Sequence, residues 1–373
     1  MTDLERILPL WREMEATGAD YVLATIVAVE GSSYRKPGAR MLIAQDGRRA
    51  GTVSGGCLEA EVAQRAWWLT SNGPVVERYS TVADDGDMPY GSGCGGVVYI
   101  LLERRATAHA LLTALEAAFH ARTPLAIATI LDGKHIGRRA FAGPTADLGD
   151  SPLHALARLA IEQCKTIEST IPFEEAPTRV FADYRPARPG LWIFGAGDDA
   201  KPLLNLAREL GWFVAVADGR AHLATRERFS AADEVRVLPI AALPAAAPQH
   251  FQPHPTDAAI VMTHSFEQDS RVLASLLALD FPLTYLGILG PQRRTRELLA
   301  EAAGILQRPH SDEQIDAWLE QFHAPTGLDI GAETPATVAL SILAEVQQAI
   351  TGATALPLRQ VRRYTGHLTG ATR

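Results

Sequence analysis

Apolar and polar positions divide the chain into short apolar runs, typical of buried strands, and amphipathic stretches with helical spacing. The run at 21–29, YVLATIVAV, is rich in β-branched residues and ends at Glu30-Gly31, so it predicts a buried strand. The same patterns predict strands at 41–44, 97–102 and 179–184, a hairpin at 125–131 and 136–142, and helices at 58–70, 106–120 and 153–164. Residues 1–185 are therefore predicted to form a mixed α/β domain.

A second domain is predicted to begin near the break RPARPG at 185–190, where two prolines and a glycine interrupt regular structure. Strands at 191–194, 212–217, 258–262 and 283–288 then alternate with helices at 199–210, 269–278 and 335–350. Thr334-Pro335 supplies an N-cap and a first-turn proline for the last helix. Residues 186–373 are therefore predicted to form a Rossmann-like, doubly wound parallel sheet domain.

Charge and cysteine content narrow the class of protein. The net charge of −8 and the pI of about 5.8 disfavour a nucleic-acid binder or a polybasic membrane-surface protein. The first stretch, MTDLERILPLWREMEATG, predicts an amphipathic helix capped by Thr2 or Asp3 rather than a signal peptide, and no run is long enough to span a bilayer. Three widely spaced cysteines disfavour a disulfide framework, so we expect a cytoplasmic protein.

The sharpest local signal is a glycine-rich turn between the first strand and the first helix of the second domain. Gly195 and Gly197 fit the tight turn of a dinucleotide-binding fingerprint, and Ala200 allows the helix to pack closely on the strand. Asp218 ends the next strand, 218 − 195 = 23 residues after the first glycine, where an acidic residue can bind ribose hydroxyls. This order of features predicts a Rossmann-type fold.

Two carboxylates in this turn leave undecided whether it binds a dinucleotide. Asp198 and Asp199 suit the positive end of a helix dipole, but for the same reason they occupy the place of an anionic phosphate. Lys201 offsets part of that repulsion. The turn either binds a dinucleotide or only joins strand to helix, with Asp199 as the cap.

Later strand ends supply further candidate ligand-binding residues. One predicted strand ends at Thr263-His264-Ser265, and another ends before Gly290-Pro291-Gln292-Arg293-Arg294. In a doubly wound sheet these ends line the ligand crevice, so we expect His264, Arg293 and Arg294 to contact a ligand there. The arginines can hold phosphate bidentately, whereas Arg296 is assigned to a solvated helix face. The alternative for His264 is a hydrogen-bonded structural role.

In the first domain, glycines flank two cysteines. Ser54-Gly55-Gly56 precedes Cys57, which opens a predicted helix whose dipole and free N–H groups favour a thiolate. Cys94 lies in a second glycine-rich run, Ser92-Gly93-Cys94-Gly95-Gly96. Soft thiolates suit molybdenum, sulfur transfer or copper, and the alternative for Cys57 and Cys94 is a small buried hydrophobe. Cys164, on a predicted amphipathic helix, is expected to be a small buried hydrophobe.

A third constellation is the loop at 31–40, GSSYRKPGAR, between two predicted strands. It carries hydroxyls and three cations in a glycine-bounded loop, a pattern typical of an anion cradle. We therefore expect Ser33, Arg35 and Arg40 to contact an anionic ligand; the alternative is a solvated loop.

These constellations together resemble the XdhC/CoxI family of accessory proteins for xanthine dehydrogenase and carbon monoxide dehydrogenase. The matching stretches, in family order from residue 31 to residue 346, are GSSYRKPGARMLI, GTVSGGCLEAEV, YGSGCGGVVYILLE, FGAGDDAKPL, LGILGPQRRTRELL and GLDIGAETPATVALSILAEV. The resemblance implies an N-terminal α/β domain followed by a Rossmann domain, in an oligomer, often a homodimer. Many family members have His where this chain has Asp198.

The resemblance also implies a function. Its xanthine dehydrogenase branch binds the molybdenum cofactor, as molybdopterin or its dinucleotide form, protects it during sulfuration by a cysteine desulfurase, and passes it to the apo molybdenum hydroxylase. Cys57 then becomes the candidate contact to the metal or its sulfido ligand, and Cys94 and the turn Ser54-Gly55-Gly56 are further candidate cofactor-binding residues. Gly195, Gly197 and Asp218 match the Rossmann fingerprint of the family.

The leading hypothesis is therefore a molybdenum-cofactor chaperone with no turnover of its own. The loop at 31–40 and the start of the Cys57 helix would hold the pterin phosphate and the metal, and the Rossmann crevice would hold a nucleotide. A second hypothesis is an NAD(P)-dependent oxidoreductase, with Arg220 after Asp218 as an NADP feature. A third is a non-catalytic scaffold.

Overall fold

The computed structural model describes residues 2–56, 58–80, 96–144, 149–174 and 176–361. The chain forms two compact units, Met1–Arg188 and Pro189–Arg373. Each unit has its own sheets and hydrophobic cores. None of the described helices is both long and apolar enough to cross a membrane.

The N-terminal unit contains two antiparallel sheets. The first has the strand order β3-β2-β1-β5-β4, with β1 at Tyr21–Glu30, β2 at Arg40–Ala44, β3 at Arg49–Gly51, β4 at Val75–Ser80 and β5 at Val97–Arg104. The second has the order β7-β6-β9-β8, with β6 at Leu125–Ile130, β7 at Arg139–Ala142, β8 at Ile167–Phe173 and β9 at Ala176–Arg185. The helices are α1 at Asp3–Thr17, α2 at Glu59–Leu69, α3 at Arg105–Ala121 and α4 at Pro152–Glu162. Strands β6 and β7 form the predicted hairpin.

Strand β1 is buried on both faces, which explains its continuous apolar run. Tyr21 and Leu23 pack in a core with α1 and α3, whereas Val22 and Ala24 pack in a second core with α2. Successive side chains of a strand point to opposite faces, so this one strand separates the two cores. The start of α2, where the predicted cysteine-bearing turn lies, is thereby fixed against the first sheet.

Capping residues in the sequence set both ends of helix α1. Thr2 is its N-cap in a capping box with Glu5, and Gly18 ends the helix in the left-handed conformation with φ +68°. Of the two caps predicted from the sequence, Thr2 is the one used.

The C-terminal unit is a parallel five-stranded sheet with the order β12-β11-β10-β13-β14. Its strands are β10 at Gly190–Phe194, β11 at Phe213–Asp218, β12 at Glu234–Val237, β13 at Ala258–Val261 and β14 at Tyr285–Ile288. Its helices are α5 at Ala200–Glu209, α6 at Ala247–His250, α7 at Phe266–Leu277, α8 at Gln292–Ile305, α9 at Asp312–Leu319, α10 at Pro335–Thr351 and α11 at Leu358–Val361. The predicted Rossmann-like fold is confirmed.

Helices cover both faces of this parallel sheet. Leu191 and Ile193 of β10 pack with α5 and α10 on one face, and Trp192 and Phe194 pack with α7 and α8 on the other. A strand buried on both faces has a continuous apolar sequence, as GLWIF does. The strand order reverses beside β10, whose neighbours are β11 and β13, so the crevice between the loops after β10 and β13 is the expected ligand site of such a sheet.

Candidate functional site

In the N-terminal unit, the turn before α2 is organised around one hydroxyl group. Ser54 Oγ donates to Glu59 Oε2 at 2.5 Å and accepts the backbone N–H groups of Gly56 and Leu58, each at 3.1 Å. These bonds fix the glycine-containing turn at the start of the helix. The predicted binding residue Ser54 therefore has a structural role in the turn.

The Glu59 carboxylate is buried beneath this turn. Its Oε1 accepts the N–H groups of Ser54 at 2.8 Å and Val53 at 3.2 Å. Burial alone would raise the pKa of Glu59, but the hydrogen bonds from the side chain and backbone of Ser54 outweigh it and hold the pKa below its usual range. The turn therefore encloses an ionised carboxylate.

Three glycine-rich segments of the sequence meet in this unit. The Tyr34 ring, in the loop at 31–40, lies beside Gly55. A Cβ atom added to that glycine would be 3.7 Å from the ring. A Cβ on Gly96, which ends the Cys94 run, would overlap the carbonyl oxygen of Ser32. Two close approaches of glycine backbone thus bring the turn before α2 and the end of the Cys94 run to the loop at 31–40.

The cations of that loop do not act together. Arg40 is buried, and its guanidinium bonds Asp183 of β9 at 2.7 Å and the carbonyl of Gly38 at 3.0 Å. Arg35 is paired with Asp3. Lys36 is exposed. The structure therefore places Arg40 in the interior, where it anchors the loop. Ser32, Tyr34 and Lys36 are exposed, and Ser33 is partly buried.

In the C-terminal unit, close packing requires a glycine at position 195 in the predicted turn. Gly195 has φ +138°, and a Cβ there would lie 2.5 Å from the carbonyl oxygen of Met262 at the end of β13. Its N–H bonds Ala217 of β11. The turn therefore lies close against both neighbouring strands of β10.

Asp218 is buried, and protein donors occupy both of its oxygens. Oδ2 accepts the N–H of Ala196 at 2.7 Å and Nη2 of Arg220 at 2.7 Å, while Oδ1 accepts the backbone N–H and Nε of Arg220. Burial alone would raise the pKa of Asp218, but the bonds from Arg220 outweigh it and lower the pKa. In this arrangement the carboxylate ties the glycine turn to β11 and has no acceptor position directed at a ligand.

The two aspartates of the turn have partners of their own. Asp198 pairs with Lys201 at 2.8 Å and Arg228 at 2.9 Å. Asp199 lies at the N-cap of α5 but makes no capping bond; its Oδ2 instead meets Nε2 of His264 at 2.7 Å. The strand ends predicted to form a crevice are thus joined by a carboxylate–imidazole pair.

Beside this pair is a cavity of about 260 Å³ at the carboxyl ends of β13 and β14, lined by Met262, His264, Asp269, Leu289, Gly290 and Arg294. Arg294 Nη2 bonds the buried Asp269 at 2.6 Å, and Asp269 also accepts Thr263 Oγ1 at 2.6 Å. Arg293 lies away from it, with a side chain 90% exposed and paired with Glu297. Of the predicted crevice residues, His264 and Arg294 come together and Arg293 does not.

Comparison with known proteins agrees with this architecture. Residues 14–80 match the XdhC and CoxI family, and residues 191–346 match the XdhC Rossmann domain. A Bacillus subtilis protein named as a probable subunit of xanthine dehydrogenase is 33% identical over 330 residues, covering 88% of this chain and 92% of that protein. The chain belongs to the XdhC and CoxI family.

Two further relatives match nearly the whole chain. The molybdenum cofactor insertion chaperone PaoD of Escherichia coli is 27% identical over 357 residues, covering 93% of this chain and 89% of PaoD. A crystal structure described as a xanthine dehydrogenase from Bacillus halodurans superposes with a TM-score of 0.70 at 29% identity, covering 97% of this chain and all of that one. The resemblance predicted from the motifs is therefore confirmed.

The two XdhC matches contain the regions described above. The N-terminal match includes the loop at 31–40 and the turn before α2, and the Rossmann match includes the glycine turn, Asp218 and every residue lining the cavity. Cys57 and Cys94, predicted to be the metal contact and its neighbour, lie outside the described residues. In the described part of the chain, no group of three His, Cys, Asp or Glu residues could hold a metal ion.

The prediction for Cys164 is wrong. Helix α4 ends at Glu162, and Cys164 follows it in the left-handed conformation with φ +49°, exposed to solvent. The apolar positions of α4 are buried as predicted, but the helix stops before its next turn could bury the thiol. This thiol is reachable by reagents in the folded protein.

Sequence reasoning also missed residues of the C-terminal cavity. Asp269, which bonds Arg294 and accepts Thr263 Oγ1, was not predicted, and neither was the pairing of Asp199 with His264. A signal was present, because an aspartate one turn into the helix after β13 can reach back to the strand end, but no pattern links it to an arginine 25 residues later.

Proposed function

We propose that this chain is an accessory protein of a molybdenum hydroxylase of the xanthine dehydrogenase type, which binds the molybdenum cofactor and delivers it to the apo-hydroxylase. The observation that supports it is the close approach of the turn before α2 and of Gly96 to the loop at 31–40, with Gly55 beside Tyr34 and Gly96 beside Ser32. The names of the relatives, a molybdenum cofactor insertion chaperone and a probable xanthine dehydrogenase subunit, point the same way.

The residues gathered there fit a flat, anionic cargo such as molybdopterin or its dinucleotide form. The Tyr34 side chain is 73% exposed and offers a face for ring stacking. Lys36 is an exposed cation in the same loop, suited to a phosphate. The carboxylate of Glu59 is enclosed within its turn by hydrogen bonds, which limits its repulsion of an anion.

We assign the contact with the metal or its sulfido ligand to Cys57, and a second thiol contact to Cys94. A thiolate is a soft ligand, and soft ligands suit metals that bind sulfur. A chaperone of this kind works with two partners, the apo-hydroxylase and a cysteine desulfurase that sulfurates the bound cofactor, and we propose that it does so as a homodimer without turnover of its own.

Anaerobic purification from a molybdate-fed host tests the proposal. We expect near-stoichiometric molybdenum by elemental analysis, matched by the fluorescence of released, oxidised pterin. Useful transfer requires an affinity of about −8 kcal/mol or better, corresponding to micromolar binding. Absence of binding at micromolar cofactor in anaerobic buffer, with the protein shown to be folded, would contradict it.

Two pairs of variants locate the cargo. Tyr34→Ala should weaken binding about tenfold, whereas Tyr34→Phe should leave it unchanged, because stacking needs the ring and not the hydroxyl. Cys57→Ser should reduce retention of the metal, and Cys164→Ser, which alters an exposed thiol of the same unit, is the matched control. In iodoacetamide footprinting, bound cofactor should protect Cys57 and leave Cys164 reactive. Equal protection of both thiols would refute the assignment to Cys57.

A further inference from the structure

We propose that the cavity at the carboxyl ends of β13 and β14 binds a small organic oxyanion, with its charged group against Arg294 and His264 and its apolar part against Met262 and Leu289. This site lies in the C-terminal unit and does not rest on the proposed function of the chain. Three features of the molecule support it: the position of the cavity in the sheet, the backbone conformation of His264 and the free donors of Arg294.

The cavity adjoins the point where the strand order of the sheet reverses. Asp199 follows β10 and His264 follows β13, and these neighbouring strands lead into helices on opposite faces of the sheet. Their side chains meet at 2.7 Å across the opening between the two loops. Ligands of doubly wound sheets bind at such a reversal, and here the cavity lies on the β13 side rather than at the glycine turn.

His264 is held in an unfavourable backbone conformation. Its φ is +63°, a left-handed value that is uncommon for residues other than glycine, although histidine adopts it more often than most. Strained residues of this kind occur at ligand-binding and catalytic sites, where the surroundings over-determine them. Asp199 accepts from Nε2, while Nδ1 makes no hydrogen bond to any described residue. Because Nε2 carries the proton shared with Asp199, Nδ1 donates to an oxyanion only in the protonated ring. The imidazole is 60% exposed, so a ligand can reach it.

Arg294 supplies the charge for an oxyanion. One N–H of its guanidinium bonds Asp269 at 2.6 Å, and another makes a long contact of 3.5 Å with the carbonyl of Leu289. Its other N–H groups have no partner among the described residues. Asp269 is buried and also accepts the N–H and Oγ1 of Thr263, so it orients Arg294 while its own oxygens are occupied. The guanidinium is thus preorganised with donors to spare.

Charge and size define the ligand class. Each carboxylate at the site already has a cationic or imidazole partner, Asp269 with Arg294 and Asp199 with His264, so neither is left to bind a cation. A volume of about 260 Å³ exceeds what an inorganic anion fills but is small for a dinucleotide. Met262 and Leu289 add an apolar wall. These features match a carboxylate or phosphate carried on a single ring.

Calorimetric titration of the full chain with benzoate, phenyl phosphate and benzamide tests the proposal. Benzamide is the neutral counterpart of benzoate, so it isolates the contribution of the charge. We expect millimolar or tighter binding of at least one anion and none of benzamide. The two anions distinguish carboxylate from phosphate as the group recognised. Binding of benzamide, or failure of both anions to bind at millimolar concentration, overturns the proposal.

Four variants locate the binding. Arg294→Gln should weaken the anion about tenfold or more, because a charge-assisted hydrogen bond is lost. Arg293→Gln, which changes the exposed neighbouring arginine, is the matched control and should have no effect. His264→Asn keeps a residue that tolerates the left-handed conformation and should weaken binding severalfold. Leu289→Phe should fill the cavity and abolish binding while leaving every charge in place.

The remaining variants still test the site if Arg294→Gln does not fold. His264→Asn and Leu289→Phe then carry the test, with circular dichroism to confirm their structure. Binding that survives both changes would place the anion elsewhere and refute the site.

Discussion

The two glycine-rich turns of this protein, one before α2 and one before α5, are similar in sequence and different in use. Each joins a strand region to a helix, and each is anchored by an ionised carboxylate that accepts its backbone N–H groups, Glu59 in one and Asp218 in the other. In the N-terminal turn the carboxylate is enclosed and an exposed aromatic ring, Tyr34, lies alongside. In the C-terminal turn, two further carboxylates, Asp198 and Asp199, occupy the helix start.

A glycine-rich turn before a helix is therefore a structural solution first and a phosphate site only where its surroundings permit. The N-terminal turn keeps its negative charge inside, which suits an anionic cargo. The C-terminal turn has negative charge where a pyrophosphate would lie, and its cavity is displaced toward β13. Four measurements test this contrast between the turns.

The largest expected difference between the two turns is the loss of stability when a glycine of each turn is replaced by alanine. Gly195→Ala should destabilise the C-terminal unit by about 4 kcal/mol, because φ is +138° and the Cβ would meet the carbonyl of Met262. Gly56→Ala should cost only about 1 kcal/mol, since φ is +117° but no atom lies within 4 Å of the new Cβ. Urea unfolding with hydrogen exchange to resolve the units measures both. Equal costs would show that the turns are packed alike.

Removing the hydroxyl at the centre of the N-terminal turn should have the next largest effect. Ser54→Ala deletes one bond to the buried Glu59 carboxylate and two bonds from backbone N–H groups, so we expect a loss of about 2 kcal/mol. Ser33→Ala, in the neighbouring loop, is the control and should change stability by less than about 0.5 kcal/mol. Urea unfolding measures both; a neutral Ser54→Ala would mean that the turn is held by other contacts.

Acid unfolding should reveal the two anchoring carboxylates. Their folded-state pKa values are lowered, so the ionised groups stabilise the fold above about pH 4, and this contribution is lost as the pH falls through the folded-state values. Glu59→Gln and Asp218→Asn should therefore flatten the pH dependence of their own unit below about pH 4, relative to the unchanged chain.

Glu103 has a pKa shifted in the opposite direction, so its effect on the pH dependence of stability should also be opposite. Burial raises its pKa despite the neighbouring Arg139, so its contribution to stability is present at low pH and is lost as the pH rises past the unfolded-state value of about 4.3. Glu103→Gln should then reduce the loss of stability with rising pH. Parallel pH profiles for the Glu59 and Glu103 variants would contradict these directions.

For added nucleotide we expect no effect at all. NAD or NADP at millimolar concentration should leave the melting temperature unchanged, because Asp218 has both oxygens occupied and Asp198 and Asp199 stand at the helix start. A shift that rises with nucleotide concentration and is lost in Asp218→Ala would restore the dinucleotide interpretation of the turn, and with it the oxidoreductase hypothesis.

Local sequence patterns account for many of the elements and for their order, although strands β3, β4 and β8 and helix α9 were not predicted. The apolar run at 21–29, the strand–helix alternation after residue 190, and the Thr334-Pro335 start of α10 all appear in the structure, because they follow from local periodicity and capping. The short strand β12, EVRV, was missed since its half-exposed positions carry little apolar signal. Family motifs then indicated the class of function, since each motif is a local stretch of sequence.

Which candidate side chains meet depends on the tertiary structure alone. Arg35 and Arg40 are close in sequence, yet Arg40 is buried against Asp183, 143 residues away, while Arg35 pairs near the N-terminus. His264 meets Asp199 across 65 positions. A side chain's partners depend on elements brought together by packing of the whole sheet, and no periodicity within a short window contains that information.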